Sequence, residues 1–107
     1  MRMMLKVNIP TVEGNAGIVD GSLPATFEKI LAELKPEAAY FTDEDGMRTG
    51  LLFFDMKDTS EIPKIAEPWM LAFNAKISFR PVMSREDLKA AMPGIQAAVV
   101  SFGGKKK

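Results

Sequence analysis

Apolar residues recur with two different periods along this chain, and the order in which those periods follow one another restricts the fold more than any other feature. Alternation with period two over residues 3–9 predicts a strand with one buried face. The spacing i, i+3, i+4, i+7 over residues 27–34 predicts an amphipathic helix that begins near Ser22. The segment between them, residues 11–21, contains Gly14, Gly17 and Gly21 and is predicted to be a loop.

The middle of the chain predicts a β-hairpin followed by a second helix. Two apolar runs, residues 38–42 and 48–56, are separated by the turn sequence Asp43-Glu44-Asp45-Gly46. The second of these strands is apolar on both of its faces. An apolar stripe at helical spacing follows, and Pro68 in its middle predicts that this helix is kinked or divided.

The end of the chain adds a fourth strand and a third helix. Residues 76–80 alternate with period two, which predicts the strand. The sequence Ser84-Arg85-Glu86-Asp87 resembles the capping box that opens a helix. Helical spacing continues to Phe102, with an interruption predicted at Pro93-Gly94.

The order of these elements, β-α-β-β-α-β and a final helix, predicts an α+β fold. In this ferredoxin-like sandwich, two helices cover one face of a four-stranded antiparallel sheet. A chain of 107 residues suits a single domain, which is predicted to span residues 1–102. Residues 103–107 are expected to form a flexible basic tail.

The composition excludes several kinds of chemistry. The chain has no cysteine and no histidine, so disulfides, Ser-His-Asp triads, and thiolate or imidazole metal sites cannot form. No metal and no cofactor is therefore expected. Without the three C-terminal lysines, 11 basic residues stand against 14 acidic ones, which gives no reason to expect nucleic acid or an anionic membrane as a partner. Lys6 stands where a signal peptide needs its apolar region, so we expect a cytoplasmic protein of bacterial type.

The side of the predicted sheet that the helices leave open needs an explanation. Assigning the more apolar set of each outer strand to the helices leaves the other set on the opposite surface, which we call the free face: Met4, Lys6, Asn8, Tyr40, Leu51, Phe53, Asp55, Ser78 and Arg80. For the third strand the choice of face stays open, because both of its sets are apolar. The centre of this surface is too apolar to be left in water. Either a second copy of the chain or the C-terminal helix would cover it, and a dimer could enclose a cavity.

With this order of elements the chain resembles the dimeric α/β-barrel superfamily of small ferredoxin-like proteins, up to Pro81. That superfamily includes antibiotic-biosynthesis-type monooxygenases and muconolactone-isomerase-like enzymes. Three segments are also similar to parts of short bacterial proteins without an assigned activity: Pro36-Glu37-Ala38-Ala39-Tyr40-Phe41-Thr42, Arg48-Thr49-Gly50 and Ile65-Ala66-Glu67-Pro68-Trp69. The resemblance implies a homodimer formed through the sheet. The haem-degrading members of the superfamily imply a histidine ligand, which this chain lacks. No catalytic motif of the superfamily matches this sequence.

The candidate ligand-binding residues come mainly from the free face: Lys6, Asn8, Tyr40, Phe53, Asp55, Trp69 and Arg80. Of these, Lys6, Tyr40 and Arg80 would hold a small polar or anionic molecule. Trp69 is either a buried anchor of its helix or the wall of a pocket. The sequence Gly14-Asn15-Ala16-Gly17 matches no phosphate-binding motif, so a mobile loop near the cavity is expected there.

Three functions agree with these features. The preferred hypothesis is a homodimeric small-molecule-binding or accessory protein without chemistry of its own. The alternative is a cofactor-free oxygenase or isomerase, whose proton acceptor would be Asp55, Glu67 or Tyr40. An enzyme of that kind predicts a buried carboxyl group with a raised pKa that faces a pocket. The third is an interaction module recognised through a sheet edge or the basic tail.

Overall fold

A four-stranded antiparallel sheet in the order β2-β3-β1-β4 lies at the centre of the computed structural model, which describes residues 1–104. The elements follow the chain as β1 (Arg2–Ile9), α1 (Thr11–Asp20), α2 (Ser22–Leu34), β2 (Ala38–Glu44), β3 (Met47–Asp55), a single 3-10 turn (Thr59–Glu61), α3 (Ile62–Phe73), β4 (Lys76–Pro81) and α4 (Arg85–Phe102). The predicted α+β class and four-stranded antiparallel sheet are confirmed, and the arrangement is consistent with a ferredoxin-like fold. Of the predicted tail, residues 103–107, only Gly103 and Gly104 belong to the described part of the chain, where they follow the end of α4, and residues 105–107 lie outside it.

The pairing of the strands fixes which residues share a face of the sheet. Residues paired across antiparallel strands point to the same side, and successive residues of a strand point to opposite sides. Leu5 pairs with Leu52, and both are fully buried beneath the helices. Lys6 pairs with Leu51, so these two residues lie on the free face together. The face of the third strand, which the sequence left open, is therefore the one that contains Leu51 and Phe53.

The core lies between the sheet and helices α2 and α3, and an aromatic cluster occupies its centre. The side chain of Trp69 is 1% exposed and packs edge-to-face on Phe27 of α2, with ring centroids 5.2 Å apart. Phe73, one turn further along α3, packs against both rings. Trp69 is thus the buried anchor, and the sheet separates it from the free face. Of the predicted ligand-binding residues, Trp69 is therefore the one that lies on the helix side of the sheet.

The segment predicted to be a glycine-rich loop, residues 11–21, is helix α1 followed by Gly21. Gly14 and Gly17 are both buried in this helix, and a Cβ atom built on Gly17 would lie only 2.9 Å from the Cβ of Leu23. These glycines therefore permit close packing of α1 on its neighbours. Of the three glycines of this segment, only Gly21 has a positive φ, 79°. This conformation ends helix α1 and turns the chain into α2.

Two helices continue through prolines that were expected to divide or interrupt them. α3 is continuous through Pro68, and α4 is continuous through Pro93-Gly94. A proline removes a single N–H donor from a helix, so the hydrogen bonds on either side of it can persist when packing favours the helix. In α3 that packing is evident, because Ala66 and Trp69 are buried against the core on either side of Pro68.

Helix α4 leaves the rest of the molecule and does not return to it. None of its residues is buried, and it makes no extensive contact with any strand or helix of the described chain. As a result the molecule is 64 Å long but only 29 × 21 Å in cross-section. Within one chain α4 therefore does not cover the free face. Of the two ways of covering it that the sequence allowed, a second copy of the chain remains.

Candidate functional site

The free face consists of rows of side chains that run across the four strands. One central row contains Arg80, Met4, Phe53 and Ala38, and the next contains Ser78, Lys6, Leu51 and Tyr40. The strand register places every residue that the sequence assigned to the free face on this side of the sheet. Among the predicted ligand-binding residues this brings together Lys6, Asn8, Tyr40, Phe53, Asp55 and Arg80, and leaves out Trp69.

The middle of the free face is apolar and open. Met4, Leu51 and Phe53 are only half-buried there, although each sits in the interior of its strand. Tyr40 is 62% exposed and meets Phe53 edge-to-face, with ring centroids 6.3 Å apart. No element of the described chain packs over these side chains. An uncovered apolar surface of this kind marks a site of association or ligand binding.

A polar cluster, which we define as Lys6, Asn8, Glu44 and Thr49, closes one end of the apolar centre. Lys6 Nζ donates to Glu44 Oε2 at 3.0 Å, and Asn8 Nδ2 donates to Glu44 Oε1 at 2.9 Å. The same Asn8 nitrogen donates to Thr49 Oγ1, also at 2.9 Å. Asn8 and Thr49 are 2% and 4% exposed, so their polar groups depend on these bonds for partners.

Two members of this cluster, Glu44 and Thr49, were missing from the predicted site. Glu44 was assigned to the turn, whereas β2 extends to Glu44 and the turn consists of Asp45 and Gly46 alone. Both turn residues have positive φ, 52° and 79°, as the Asp-Gly sequence of a two-residue hairpin requires. Counting period two back from that turn would have placed Glu44 on the same face as Tyr40.

The surroundings of Glu44 keep its carboxyl group ionised. Hydrogen bonds donated by Lys6, and next by Asn8, lower the pKa of Glu44 below its usual value of 4.5. Lys6 in turn has this carboxylate as its ion-pair partner. The geometry therefore assigns Lys6 to an ion pair and does not leave it free for an anionic ligand.

Replacing Glu44 by glutamine is expected to lower the melting temperature at neutral pH and to matter progressively less in acid. Because folding lowers the pKa of Glu44, its carboxylate stabilises the folded chain above the usual pKa of 4.5. That contribution is lost as the pH falls through the lower pKa of the folded state. The measurement is the melting temperature of both proteins from neutral to acidic pH.

The control for this comparison is Glu28→Gln, which removes an exposed carboxylate of α2 that has no hydrogen bond or ion pair within residues 1–104. It should leave the melting temperature unchanged at each pH. A difference between the wild type and Glu44→Gln that stays constant down to strongly acidic pH would contradict the assignment.

The opposite end of the free face is also polar. Arg2 forms a bidentate ion pair with Glu37, in which Nε donates to Oε1 at 2.8 Å and Nη2 donates to Oε2 at 3.3 Å. The Met1 ammonium group donates to Asp55 Oδ1 at 2.8 Å, and this bond lowers the pKa of Asp55. These side chains border a hollow that the first turn of α4, at Asp87, also lines.

Among the described residues, Arg80 and Lys76 are the cations of the free face without an ion-pair partner, and of the two only Arg80 lies beside the apolar centre. It is exposed at the edge of the row that contains Met4 and Phe53. Within residues 1–104 no carboxylate lies at ion-pair distance from its guanidinium group. An unpaired guanidinium beside an apolar surface is suited to a planar anion such as a carboxylate or sulfonate.

The remaining candidates lie elsewhere or offer no ligand set. Glu67 is exposed on α3, on the helix side of the sheet, so it cannot act together with the free face. A hollow of about 150 Å³ between α2 and α3 is lined mainly by residues of those helices, including Glu33, Lys64 and Pro68. Within residues 1–104 no three acidic side chains come close enough together to hold a metal ion.

In comparisons with known proteins, neither the family models nor the curated proteins gave a match to this chain. Among the helices of the described residues, none combines the length and the apolar character needed to cross a membrane.

Proposed function

We propose that this chain is a homodimeric small-molecule-binding or accessory protein, whose ligand lies on the free face in a cavity enclosed by two copies. The observation that carries the proposal is the combination of an uncovered apolar centre with Arg80, a cation without a partner, at its edge. This is the arrangement expected of a protein in the dimeric α/β-barrel superfamily, which the order of elements resembles.

An uncovered apolar sheet face is stabilised when a second copy covers it. Apolar side chains such as Leu51 and Phe53 lose stabilisation when they stay in contact with water. A two-fold axis through the free face would bury the same patch on both copies with a single interface. The polar residues at both ends, the Lys6–Glu44 pair and the Arg2–Glu37 pair, would then form the rim, where charged groups are tolerated at protein interfaces.

The site has two chemical components, and together they define the class of ligand. Arg80 supplies charge-assisted hydrogen bonds to an anionic group, while Phe53, Tyr40 and Met4 supply an apolar surface. A small organic anion with a flat apolar body satisfies both. Lys6 contributes less than the sequence predicted, because Glu44 neutralises it.

The enzymatic alternative, a cofactor-free oxygenase or isomerase, receives less support from the same side chains. It needs a proton acceptor with a raised pKa inside a pocket. The carboxyl groups of the free face have the opposite property, since hydrogen bonding lowers the pKa of both Glu44 and Asp55. A carboxylate held in this way is a weak base, which favours binding over proton transfer.

The test combines sedimentation equilibrium with titration of a fluorescent apolar anion, 8-anilinonaphthalene-1-sulfonate. We expect a dimer that binds this probe, and Arg80→Ala should weaken the binding by about tenfold, because it removes a charged hydrogen-bond donor. The matched control is Lys76→Ala, which removes a cation from the same strand and the same face, two residues further from the apolar centre. Equal affinities for Arg80→Ala and Lys76→Ala, or a monomer at high concentration, would overturn the proposal.

A further inference from the structure

Helix α4 carries an apolar stripe that nothing in the described chain covers. The stripe consists of large side chains that are between 42% and 86% exposed: Leu88, Met92, Ile95, Val99 and Phe102. Their spacing alternates between four and three residues along the whole helix, which is the seven-residue repeat of helices that pair side by side. We call this set the α4 stripe.

The stability of α4 also requires a partner. An isolated helix needs about 12–15 residues to be even marginally stable in water when its sequence is rich in alanine, so the 18 residues of α4 leave little margin for unfavourable residues. α4 contains Pro93 and Gly94 at its middle, the two residue types least suited to a helix interior. It receives no compensating packing from its own chain, because none of its residues is buried. A regular helix over Arg85–Phe102 is therefore stable only if another surface covers the stripe.

The area of the free face indicates that the surface covering the α4 stripe belongs to a second copy of the chain. Four strands of this length present a face of only about 400 Å², from the usual strand spacing and rise. A stable interface buries at least about 600 Å² on each partner. An 18-residue helix is about 27 Å long, and its apolar side adds roughly 250 Å². The free face alone is too small for a stable dimer, whereas the free face together with the α4 stripe is large enough.

We infer that the α4 stripe packs against the α4 stripe of a second copy, so that the two helices complete the homodimer. This inference rests on the proposed function, because it takes the free face as the other part of the same interface. The repeat supports a second copy over an unrelated protein, since two identical stripes interlock. The positions that flank the stripe hold Lys89, Ala91, Gln96 and Ala98. They therefore lack the opposite charges with which paired helices select a different partner. Pro93 and Gly94 lie on the outer side of the helix pair, away from the seam.

Cysteine cross-linking tests this pairing directly, because the chain has no cysteine of its own. Ile95 is the central member of the stripe, so it faces its own counterpart in a parallel pair and lies within one turn of it in an antiparallel pair centred on the stripe. We expect Ile95→Cys to form a disulfide-linked dimer under mild oxidation. The matched control, Ala97→Cys, lies on the opposite side of α4 and should remain unlinked. Sedimentation equilibrium of both variants, kept reduced, gives the oligomeric state independently of the disulfide.

The outcomes separate this inference from the function on which it rests. A dimer in which Ile95→Cys and Ala97→Cys cross-link equally poorly would overturn the helix pairing alone. If Ile95→Cys forms the disulfide-linked dimer but Phe53→Asp, measured in the chain without the cysteine, leaves dimerisation unchanged, the helix pairing is supported and the role of the free face is overturned. As a second measurement on the uncross-linked chain, Ile95→Asp should weaken dimerisation by at least about tenfold, because it places a charge in the seam. The outward-facing Ser101→Asp should leave it unchanged, and equal effects of these two substitutions would overturn the pairing.

Discussion

Replacing Trp69 by alanine is expected to lower the free energy of unfolding by about 3–5 kcal/mol, the usual cost of deleting a fully buried large aromatic side chain. The indole ring contacts Phe27 and Phe73, and those two rings also contact each other. Removing it therefore opens a cavity between α2 and α3 that the two remaining rings fill only in part. Urea denaturation of the wild type and the variant measures the difference.

The control for Trp69→Ala is Leu71→Ala, which shortens an apolar side chain of the same helix that is 80% exposed. It should change the free energy of unfolding by no more than about 0.5 kcal/mol. A third variant, Trp69→Phe, should cost clearly less than Trp69→Ala. It keeps an aromatic ring and removes the indole N–H, which has no hydrogen-bond partner in the core. If Trp69→Ala cost as little as Leu71→Ala, the ring would not be an anchor of the core.

The strands and the free face could be predicted because period two determines them directly. In β1 the alternation of Leu5 and Val7 with Lys6 and Asn8 already separates the two faces of the sheet. Once one strand is assigned, the antiparallel register extends the assignment to its neighbours. In β3 both faces are apolar, so its orientation came only from its pairing with β1.

Helix α1 could not be predicted, because its glycines serve a purpose that a single sequence does not reveal. Glycine is common in loops, and Gly14 and Gly17 were assigned to one on that basis. In the fold they are contact points, where a larger residue at position 17 would collide with Leu23. Close approach between helices depends on the tertiary arrangement, which local propensity does not contain.

The direction of α4 was equally hidden in the sequence. The spacing of the α4 stripe shows that one side of the helix is apolar, but not which surface that side meets. The path depends on residues 82–84, which connect β4 to the helix and carry no pattern of their own. A covering helix and a protruding helix therefore have the same sequence signature.

Asn8 was predicted to bind a ligand, and its environment assigns it a structural role whose removal should be costly. Asn8→Ala deletes one hydrogen bond to the Glu44 carboxylate and one to Thr49. We expect it to lower the free energy of unfolding by about 2–4 kcal/mol, since bonds to charged groups contribute more than neutral ones. The control is Ser78→Ala on the neighbouring strand, whose hydroxyl makes no side-chain hydrogen bond within the described residues.

A double-mutant cycle tests whether the polar cluster acts as a unit. Asn8→Ala and Glu44→Gln should together cost less than their separate effects predict, because both act on the same bond: the first removes its donor and the second removes the charge of its acceptor. Strictly additive losses would show that the two side chains are independent.

The same variants distinguish stability from binding. Asn8→Ala retains the Lys6–Glu44 pair and Arg80, so its affinity for the fluorescent anion should stay close to that of the wild type. A loss of affinity as large as that of Arg80→Ala would return Asn8 to the ligand site and make the polar cluster part of the pocket.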